Sequence, residues 1–413
     1  MRNVVTAASL WDGLTLLRDP VVEIADGRVI DVWSQAEREI PSASERLDFL
    51  GATLAPPFLD VHIHGAAGHD VMEANPNALE AISRFLASRG TGSFLATTVT
   101  APLDATLRSL EGLAKRIDEA RGENWRGARP LGIHLEGPFI SHAKRGVHQP
   151  AYLLAPSTAT FDRLFEAAGG DVRLMTLAPE LPGAIELAAH AISKGVRVSV
   201  GHSDATAAET ERAIAAGACS ATHTFNAMRP LDHREPGILG TVLTTDSLYA
   251  ELICDGIHVD PAMVRLWWRA KGPAHSILVT DAMSATGMPE GEYQLGGFPV
   301  QVANGRATAN GVLAGSVLTL DKALRNFVEY TGAPVETALP LLTRNPAAMI
   351  GFEDCAGKIR VGEAANFVVV DELGALIASV IRGEIQKASQ VPQKEWSRLG
   401  MKQLDHINPE PVT

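Results

Sequence analysis

The sequence has few cysteines and no long apolar run. Its three cysteines, Cys219, Cys254 and Cys355, are an odd number and lie far apart, which argues against a disulfide framework. No stretch approaches 18 uninterrupted apolar residues, so no transmembrane helix is expected. The opening residues, MRNVVTAASLWDG, lack the apolar stretch of a signal peptide. These absences predict a soluble cytoplasmic protein that does not interact with membranes.

Positive charge is also scarce. The chain has 36 Lys and Arg against 48 Asp and Glu, a formal net charge of −12. Proteins that bind the phosphate backbone usually show a clustered basic excess, so nucleic acid is not an expected partner. With 46% hydrophobic and 20% charged residues, the 413-residue chain can bury a large core. The length fits two or three domains, or one α/β barrel of about 250 residues with a smaller module.

Both ends of the chain show the pattern of short β-strands. Two apolar segments within Val21–Trp33 meet at Asp26-Gly27, which is a strong hairpin signal. Short apolar segments separated by turns recur over residues 357–383. The two ends could therefore form one small sheet domain, residues 1–54 with 355–413, with the middle of the chain as an insertion. The alternative is two independent β appendages.

The middle of the chain, residues 55–354, alternates short apolar runs with segments of helical periodicity such as 77–89, 184–194 and 206–216. The eight runs are 53–61, 92–99, 130–135, 172–177, 196–200, 219–222, 248–254 and 276–279. Strands that alternate with helices imply βαβ units and a parallel sheet. Eight units in about 300 residues favour an α/β fold of the (β/α)₈ barrel type over an open sheet.

Residues that could bind a metal ion follow five of the eight runs. They are His62 and His64 after the first run, Glu136 after the third, His202 after the fifth, His223 after the sixth and Asp281 after the eighth. The strand ends of a closed barrel converge on one face, so these side chains would meet in one pocket. Imidazole and carboxylate ligands suit Zn²⁺ or another borderline divalent ion.

Taken singly, each of these residues has a simpler explanation. An Asp after a strand commonly caps the next helix, and a lone His is often only hydrogen-bonded within the structure. The recurrence at five strand ends is what favours a metal site. Six other histidines have no such placement and are expected at the surface or behind the site: His69, His142, His190, His233, His275 and His406.

Several motifs extend this pattern over nearly the whole chain. They are HLEGPF (134–139), GHSDAT (201–206), THTFNAM (222–228), REPG (234–237), DGIHV (255–259), VTDAM (279–283) and LAGS (313–316). Together they resemble the N-acetylglucosamine-6-phosphate deacetylases of the amidohydrolase superfamily. The resemblance implies a (β/α)₈ barrel flanked by a small β-sandwich built from both termini, and commonly a homodimer.

The resemblance also implies roles for individual residues. Glu136, His202 and His223 match the principal metal ligands, Asp281 matches the catalytic acid and base, and His148 matches a histidine that polarises the acetyl carbonyl. The substrate-binding positions it implies are Val147, Asn226, Ala227, Arg234, Asp255, Gly256, Ile257, His258, Leu313, Ala314 and Gly315. Some members lack the first His pair and hold one metal ion. Here that pair is present, so a second ion, bridged by Glu136, is expected; the alternative is that the pair only binds substrate or orders water.

The expected reaction is hydrolysis of N-acetyl-D-glucosamine 6-phosphate to D-glucosamine 6-phosphate and acetate. The planar guanidinium of Arg234 and the imidazole of His258 are expected to bind the phosphate, in the same subunit or in the neighbour's pocket. One alternative substrate is another N-acetyl amino sugar, such as galactosamine 6-phosphate or an unphosphorylated sugar. A second alternative is a non-catalytic scaffold, which the complete ligand set disfavours.

Overall fold

The computed structural model describes residues 3–41, 45–354, 356–388 and 402–403. Cys355 and His406 lie outside the described residues. The described chain forms an eight-stranded parallel sheet, a nine-stranded mixed sheet, a four-stranded antiparallel sheet and a two-stranded ribbon, Gly65–Ala66 with His69–Asp70. Within this part of the chain, no helix has both the length and the apolar character needed to cross a bilayer.

The eight parallel strands form the predicted barrel. They are β1 (Phe58–Ile63), β2 (Thr91–Thr98), β3 (Arg129–Glu136), β4 (Val172–Leu177), β5 (Arg197–Val200), β6 (Ser220–Ala221), β7 (Tyr249–Ile253) and β8 (Ser276–Val279). Neighbours in the chain are neighbours in the sheet. The N–H of Asp281 donates to the carbonyl of His62 at 2.9 Å, and the N–H of His64 donates to that of Ala282 at 2.8 Å. These bonds bring the segment after β8 against β1 and nearly close the barrel.

Helices follow most of the barrel strands. The α-helices are Pro76–Ser88, Leu103–Ala120, Thr158–Ala167, Ala184–Ser193, Ala207–Ala215, Gly237–Thr244, Pro261–His275, Leu320–Thr331, Val335–Ala338 and Arg344–Ile350. Short 3₁₀ turns span Val71–Glu73, His142–Lys144, Pro150–Tyr152 and Leu339–Leu342. The three helices predicted from periodicity are present. Thr206 and Glu209 form a capping box that starts one of them directly after a candidate ligand, His202.

The first predicted strand, 53–61, proves to be two strands in different sheets. Glu45–Ala55 belongs to the terminal sheet and β1 starts at Phe58. Pro56 and Pro57 separate them. Proline has no N–H to donate to a sheet ladder, so the chain leaves one sheet there and enters the next.

Strands from both ends of the chain share the nine-stranded sheet. Its order is Lys402–Gln403, Glu384–Ala388, Leu376–Ile381, Phe367–Val370, Glu45–Ala55, Asn3–Trp11, Pro20–Ala25 and Arg28–Ser34, with Leu16–Arg18 paired to Asn3–Trp11. Leu54 pairs with Val369, so two independent appendages are ruled out. The Asp26-Gly27 hairpin is confirmed, with φ of 50° and 70°. The domain boundaries near residues 54 and 355 stay a prediction.

A four-stranded sheet that the sequence did not predict follows β8. Its strands are Gly291–Leu295, Phe298–Ala303, Arg306–Ala309 and Val312–Leu313. A turn at Gly296-Gly297 joins the first two strands. The sheet encloses its own small apolar core around Val300 and Met283, and it stands beside the mouth of the barrel.

Candidate active site

The candidate metal ligands lie at the carboxyl ends of the barrel strands. His62 lies within β1 and Glu136 ends β3, whereas His202, His223 and Asp281 each follow a strand by two residues. The last three have left-handed backbone, with φ of 46°, 30° and 50°. Such conformations are unfavourable for residues other than glycine and concentrate at functional sites. The three strand ends therefore turn sharply where their side chains converge.

The carboxylate of Glu136 lies at the centre of this cluster. Its Oε1 is 3.2 Å from Nε2 of His202 and 3.1 Å from Nε2 of His223. Nε2 of His62 and Nε2 of His64 approach the same carboxylate at 3.3 and 3.2 Å. Burial disfavours the charge on Glu136, but the charge of His62 and hydrogen bonds from three surrounding imidazoles outweigh burial and hold its pKa well below the usual range.

Asp281 approaches the cluster from the opposite side. Its Oδ1 lies 3.1 Å from Nε2 of His64 and 3.5 Å from Nε2 of His62. Burial raises the pKa of this carboxyl, yet the charge on His62 and a hydrogen bond from His64 lower it below the ordinary value. Asp281 is therefore a carboxylate at neutral pH and can accept a proton.

The hydrogen bonds at Nδ1 fix the tautomers of two of these histidines. Nδ1 of His64 lies 3.0 Å from the carbonyl of Thr97, and Nδ1 of His202 lies 2.8 Å from the carbonyl of Lys144. A carbonyl only accepts, so each Nδ1 carries a proton, and the Nε2 of each ring presents a lone pair to the cluster when the ring is neutral. Nε2 of His62 is buried and has no hydrogen-bond partner among the described residues. Inward lone pairs around buried carboxylates fit a divalent cation.

His148 has the opposite tautomer. The N–H of Thr100 donates to its Nδ1 at 3.3 Å, so the ring proton sits on Nε2, which is 3.5 Å from Oε2 of Glu136. Burial lowers the pKa of His148 to about 4. The ring is therefore neutral at pH 7 and is a hydrogen-bond donor toward the cavity. His148 is close enough to Glu136 and His202 to form a group of three possible metal ligands with them. Because its Nε2 carries the proton, however, this nitrogen has no lone pair to offer a metal ion.

A cavity of about 380 Å³ opens above the cluster. Twelve of the predicted site residues line it: His64, Glu136, Val147, His148, His202, His223, Asn226, Ala227, His258, Asp281, Leu313 and Gly315. His62 and Ala314 are buried behind its wall. The lining includes none of the five other described histidines that the sequence placed outside the site.

The DGIH segment contributes to the cavity through one residue. His258 lines the cavity, whereas Asp255, Gly256 and Ile257 lie behind it. Asp255 accepts from Nδ1 of His258 at 2.7 Å and from the backbone N–H groups of Ile257 and His258 at 2.8 and 2.7 Å. Burial lowers the pKa of His258, but the hydrogen bond and charge of Asp255 outweigh burial and raise it. Asp255 thus favours the protonated, cationic form of His258 at the cavity.

Arg234 lies outside the cavity of its own subunit. Its side chain is exposed on the loop before the helix Gly237–Thr244. The neighbouring carboxylates bind backbone groups: Asp232 accepts from the N–H groups of Arg234 and Glu235, and Glu235 accepts from those of Ala207 and Gly237. The exposed side chain of Arg234 therefore takes no part in lining the cavity.

The sequence missed several residues that line the cavity. Lys144 is the cation among them, and its Nζ lies 3.5 Å from Asp204. Two basic residues directly before Gly146-Val147 were the signal that could have found it. Leu295 and Val312 come from the unpredicted four-stranded sheet, and no motif marked them.

Known proteins of similar sequence and structure share this architecture. Residues 53–391 match the model of the Amidohydrolase family. The chain is 38% identical to the N-acetylgalactosamine-6-phosphate deacetylase of Escherichia coli O157:H7, over 90% of this chain and 96% of that protein. It is 36% identical to the N-acetylglucosamine-6-phosphate deacetylase of Bacillus subtilis (strain 168), over 90% of this chain and 93% of the relative.

Solved structures give the same result. A mutant N-acetyl-D-glucosamine-6-phosphate deacetylase from Mycobacterium smegmatis, in complex with N-acetyl-D-glucosamine-6-phosphate, superposes with a TM-score of 0.85. The two proteins are 35% identical, and the match covers 93% of this chain and 99% of the other. The resemblance inferred from the motifs is confirmed, and the chain belongs to the amidohydrolase family, together with the N-acetylglucosamine-6-phosphate deacetylases.

Proposed function

We propose that this enzyme hydrolyses the N-acetyl group of N-acetyl-D-glucosamine 6-phosphate to give acetate and D-glucosamine 6-phosphate. One observation carries the proposal: the Glu136 carboxylate, surrounded by imidazole Nε2 atoms, forms the floor of a cavity that Asp281 and His148 also line. The arrangement combines a metal-binding donor set, a proton acceptor and a hydrogen-bond donor. Those are the three parts that amide hydrolysis requires.

The donor set divides into two groups that share Glu136. Glu136, His202 and His223 would hold one ion; His62, His64 and Asp281 would hold a second, bridged by Glu136. A catalytic Zn²⁺ needs only three protein ligands, so six candidates exceed the need of one ion. A divalent ion bound here supplies Lewis-acid polarisation of the amide carbonyl and lowers the pKa of a water molecule. Zinc suits the mixture of imidazole and carboxylate.

The side chains of the chain itself move the protons. Asp281 takes a proton from the water as its oxygen attacks the acetyl carbon, and the N–H on Nε2 of His148 donates to the carbonyl oxygen as negative charge develops there. Asp281 then gives the proton to the sugar nitrogen as the C–N bond breaks. The nitrogen leaves as an amine, and acetate remains.

Cations around the cavity support recognition of a phosphate. Lys144 and His258 both line it, although the whole chain carries a net charge of −12. A dianionic substrate therefore needs this local positive charge. We assign Arg234 to the phosphate as well, acting in the pocket of the neighbouring subunit of a homodimer, since it is exposed and does not line the cavity of its own chain. The homodimer and a cytoplasmic location stay predictions.

The galactosamine epimer is the second candidate substrate. The 38% identity to an N-acetylgalactosamine-6-phosphate deacetylase is the observation that favours it. The two sugars differ only in the configuration at C4. Both reactions would use the same metal ions, base and phosphate contacts.

Acetate release from a panel of substrates tests the proposal. The panel contains N-acetylglucosamine 6-phosphate, N-acetylgalactosamine 6-phosphate and unphosphorylated N-acetylglucosamine, with metal analysis of the same sample. The highest kcat/KM is expected for the glucosamine 6-phosphate. A higher kcat/KM for the galactosamine epimer would identify that sugar as the substrate instead. If the metal-loaded enzyme released no acetate from any of the three compounds, the proposed reaction would be rejected.

A further inference from the structure

Glu251 is a buried carboxylate that the proposed reaction does not use. It is the third residue of β7, and its side chain is completely buried. Its Oε2 lies 3.3 Å from Nδ1 of His62. The same oxygen accepts from the backbone N–H of His223 at 3.3 Å. One carboxylate thus contacts segments that carry ligands of both groups.

The contact with His62 has a definite chemical consequence. A carboxylate only accepts hydrogen bonds, so Nδ1 of His62 carries a proton, and Nε2 of the neutral ring presents its lone pair. That Nε2 faces Oε1 of Glu136 at 3.3 Å and Oδ1 of Asp281 at 3.5 Å. A 180° flip of the imidazole about its Cβ–Cγ bond would point the lone pair away from both carboxylates.

The packing around His62 does not by itself select this tautomer. The ring of His134 meets that of His62 edge-on with centroids 4.7 Å apart, and the ring of His223 stacks on it at 5.4 Å. Ring contacts of this kind fix the plane of an imidazole but not the nitrogen that carries the proton. Glu251 supplies that second restraint.

Both side-chain contacts of Glu251 with the cluster use the same carboxylate oxygen, Oε2. Its Oε1 is buried and has no hydrogen-bond partner among the described residues. Asp60, a buried carboxylate on β1, differs because it accepts from the hydroxyl of Thr280 at 2.6 Å and from the N–H of His62 at 3.3 Å through different oxygens. The side chain of Glu251 therefore contacts the two ligand-carrying segments through its Oε2.

We propose that Glu251 is a positioning residue, which holds His62 in the tautomer and orientation that the second metal ion requires. The inference rests on the proposed two-ion site. Partners that orient a metal-bound histidine in this way typically change metal affinity by about 10- to 100-fold when they are lost.

Zinc titration of metal-free protein tests the inference without measuring activity. Equilibrium dialysis gives the number of ions and the Kd of each for the wild type, Glu251→Gln and His62→Ala. Glu251→Gln keeps the side-chain shape but can offer an N–H to Nδ1. We expect this variant to bind the second ion about 10- to 100-fold more weakly and to leave the Kd of the first ion within about threefold of the wild-type value.

Two controls separate positioning from loss of fold. Asp321 is also buried with one oxygen, Oδ1, that lacks a hydrogen-bond partner in the described structure, and it lies in the helix Leu320–Thr331 away from the cavity. Asp321→Asn therefore makes the same chemical change elsewhere, and both zinc affinities should stay unchanged. Thermal unfolding of the metal-free variants checks that each one folds.

A double variant decides whether Glu251 acts through His62. If it does, adding Glu251→Gln to His62→Ala produces no further loss of zinc affinity. A further loss of tenfold or more, or unchanged second-ion binding by Glu251→Gln alone, overturns the inference while the two-ion site stands. If His62→Ala itself leaves two ions bound with unchanged affinity, the two-ion site and the inference both fail.

Discussion

Nε2 of His202 and Nε2 of His223 lie 3.0 Å apart on the floor of the cavity. His202 has its proton on Nδ1, so it presents a lone pair to the other ring. Only a proton or a cation between the two nitrogens makes so short an approach favourable. Stability should therefore depend both on bound metal and, when metal is removed, on pH.

Metal removal should make stability depend on pH in the alkaline range. Burial disfavours the charge on His64, but the hydrogen bonds that its protonated ring donates to the carboxylates of Asp281 and Glu136 outweigh burial and raise its pKa in the metal-free protein to about 9. This lies above the unfolded value of about 6.5. Protonation of His64 therefore contributes up to about 3 kcal/mol to the free energy of unfolding. This contribution is complete below pH 6.5 and is lost as the pH rises through 9.

Thermal unfolding at pH 6.5 and pH 9, with and without a chelator, checks this prediction. The Tm of the chelated protein should be lower at pH 9 than at pH 6.5. The metal-loaded protein should unfold at a higher temperature and show a smaller difference, because metal occupies the lone pair that the proton would take. Equal pH dependence in both forms would contradict the prediction.

Asp281→Asn should remove the proton acceptor. We expect kcat to fall about 10²- to 10⁴-fold, because an amide cannot take the proton from water or return it to the sugar nitrogen. Acetate release and metal content are measured on the same sample. At least one ion should remain, since Glu136, His202 and His223 are unchanged. Near wild-type turnover with metal retained would reject this role.

His148→Gln distinguishes a hydrogen-bond donor from a metal ligand. Its proton is on Nε2, so we expect kcat to fall about 10²- to 10³-fold while metal content stays the same. The loss should appear in kcat more than in KM, because the carbonyl oxygen gains its negative charge in the transition state. A variant that loses an ion would show that His148 is a ligand.

Arg234→Ala should impair only phosphorylated substrates. A charge-assisted contact contributes roughly 1.5–3 kcal/mol, so kcat/KM for the 6-phosphate should fall about 10- to 150-fold. The unphosphorylated sugar has no group for Arg234 to bind, and its kcat/KM should barely change. Equal losses on both substrates would mean that Arg234 only supports its loop.

Mixed dimers test whether Arg234 reaches the neighbouring pocket. A subunit with Arg234→Ala is combined with one that carries Asp281→Asn. If Arg234 acts across the interface, one pocket of each mixed dimer has both Asp281 and the partner's arginine, and activity on the 6-phosphate returns. If it acts within its own subunit, every pocket lacks one of the two residues and activity stays low.

The barrel was predictable because its strands are buried on both faces and read as continuous apolar runs. Even β6, with only Ser220 and Ala221 in regular pairing, was found from its neighbours Cys219 and Thr222. The metal-ligand candidates were predictable because barrel strands converge. The sheet over residues 291–313 was not, since its strands are short and partly exposed, as in Gly291–Leu295.

Other properties of the site depend on three-dimensional contacts that no local pattern encodes. The tautomer of His148 is set by the N–H of Thr100. Glu251 contacts His62 although the two residues lie on β7 and β1, far apart in the sequence. The loop that carries Arg234 is held by backbone N–H groups that donate to Asp232 and Glu235. A motif identifies such residues without giving the direction in which they act.

The pairing of Glu45–Ala55 with Phe367–Val370 constrains the order of events during synthesis. The N-terminal strands leave the ribosome early, but the strand that completes their sheet follows about 300 residues later. At a translation rate of about 5–20 residues per second, the edge of Glu45–Ala55 stays open for about 15–60 s. An open edge strand invites pairing with other nascent chains. Expression at lower temperature or with chaperones that bind exposed strands should therefore raise the yield of this protein more than that of a barrel whose terminal sheet closes on itself.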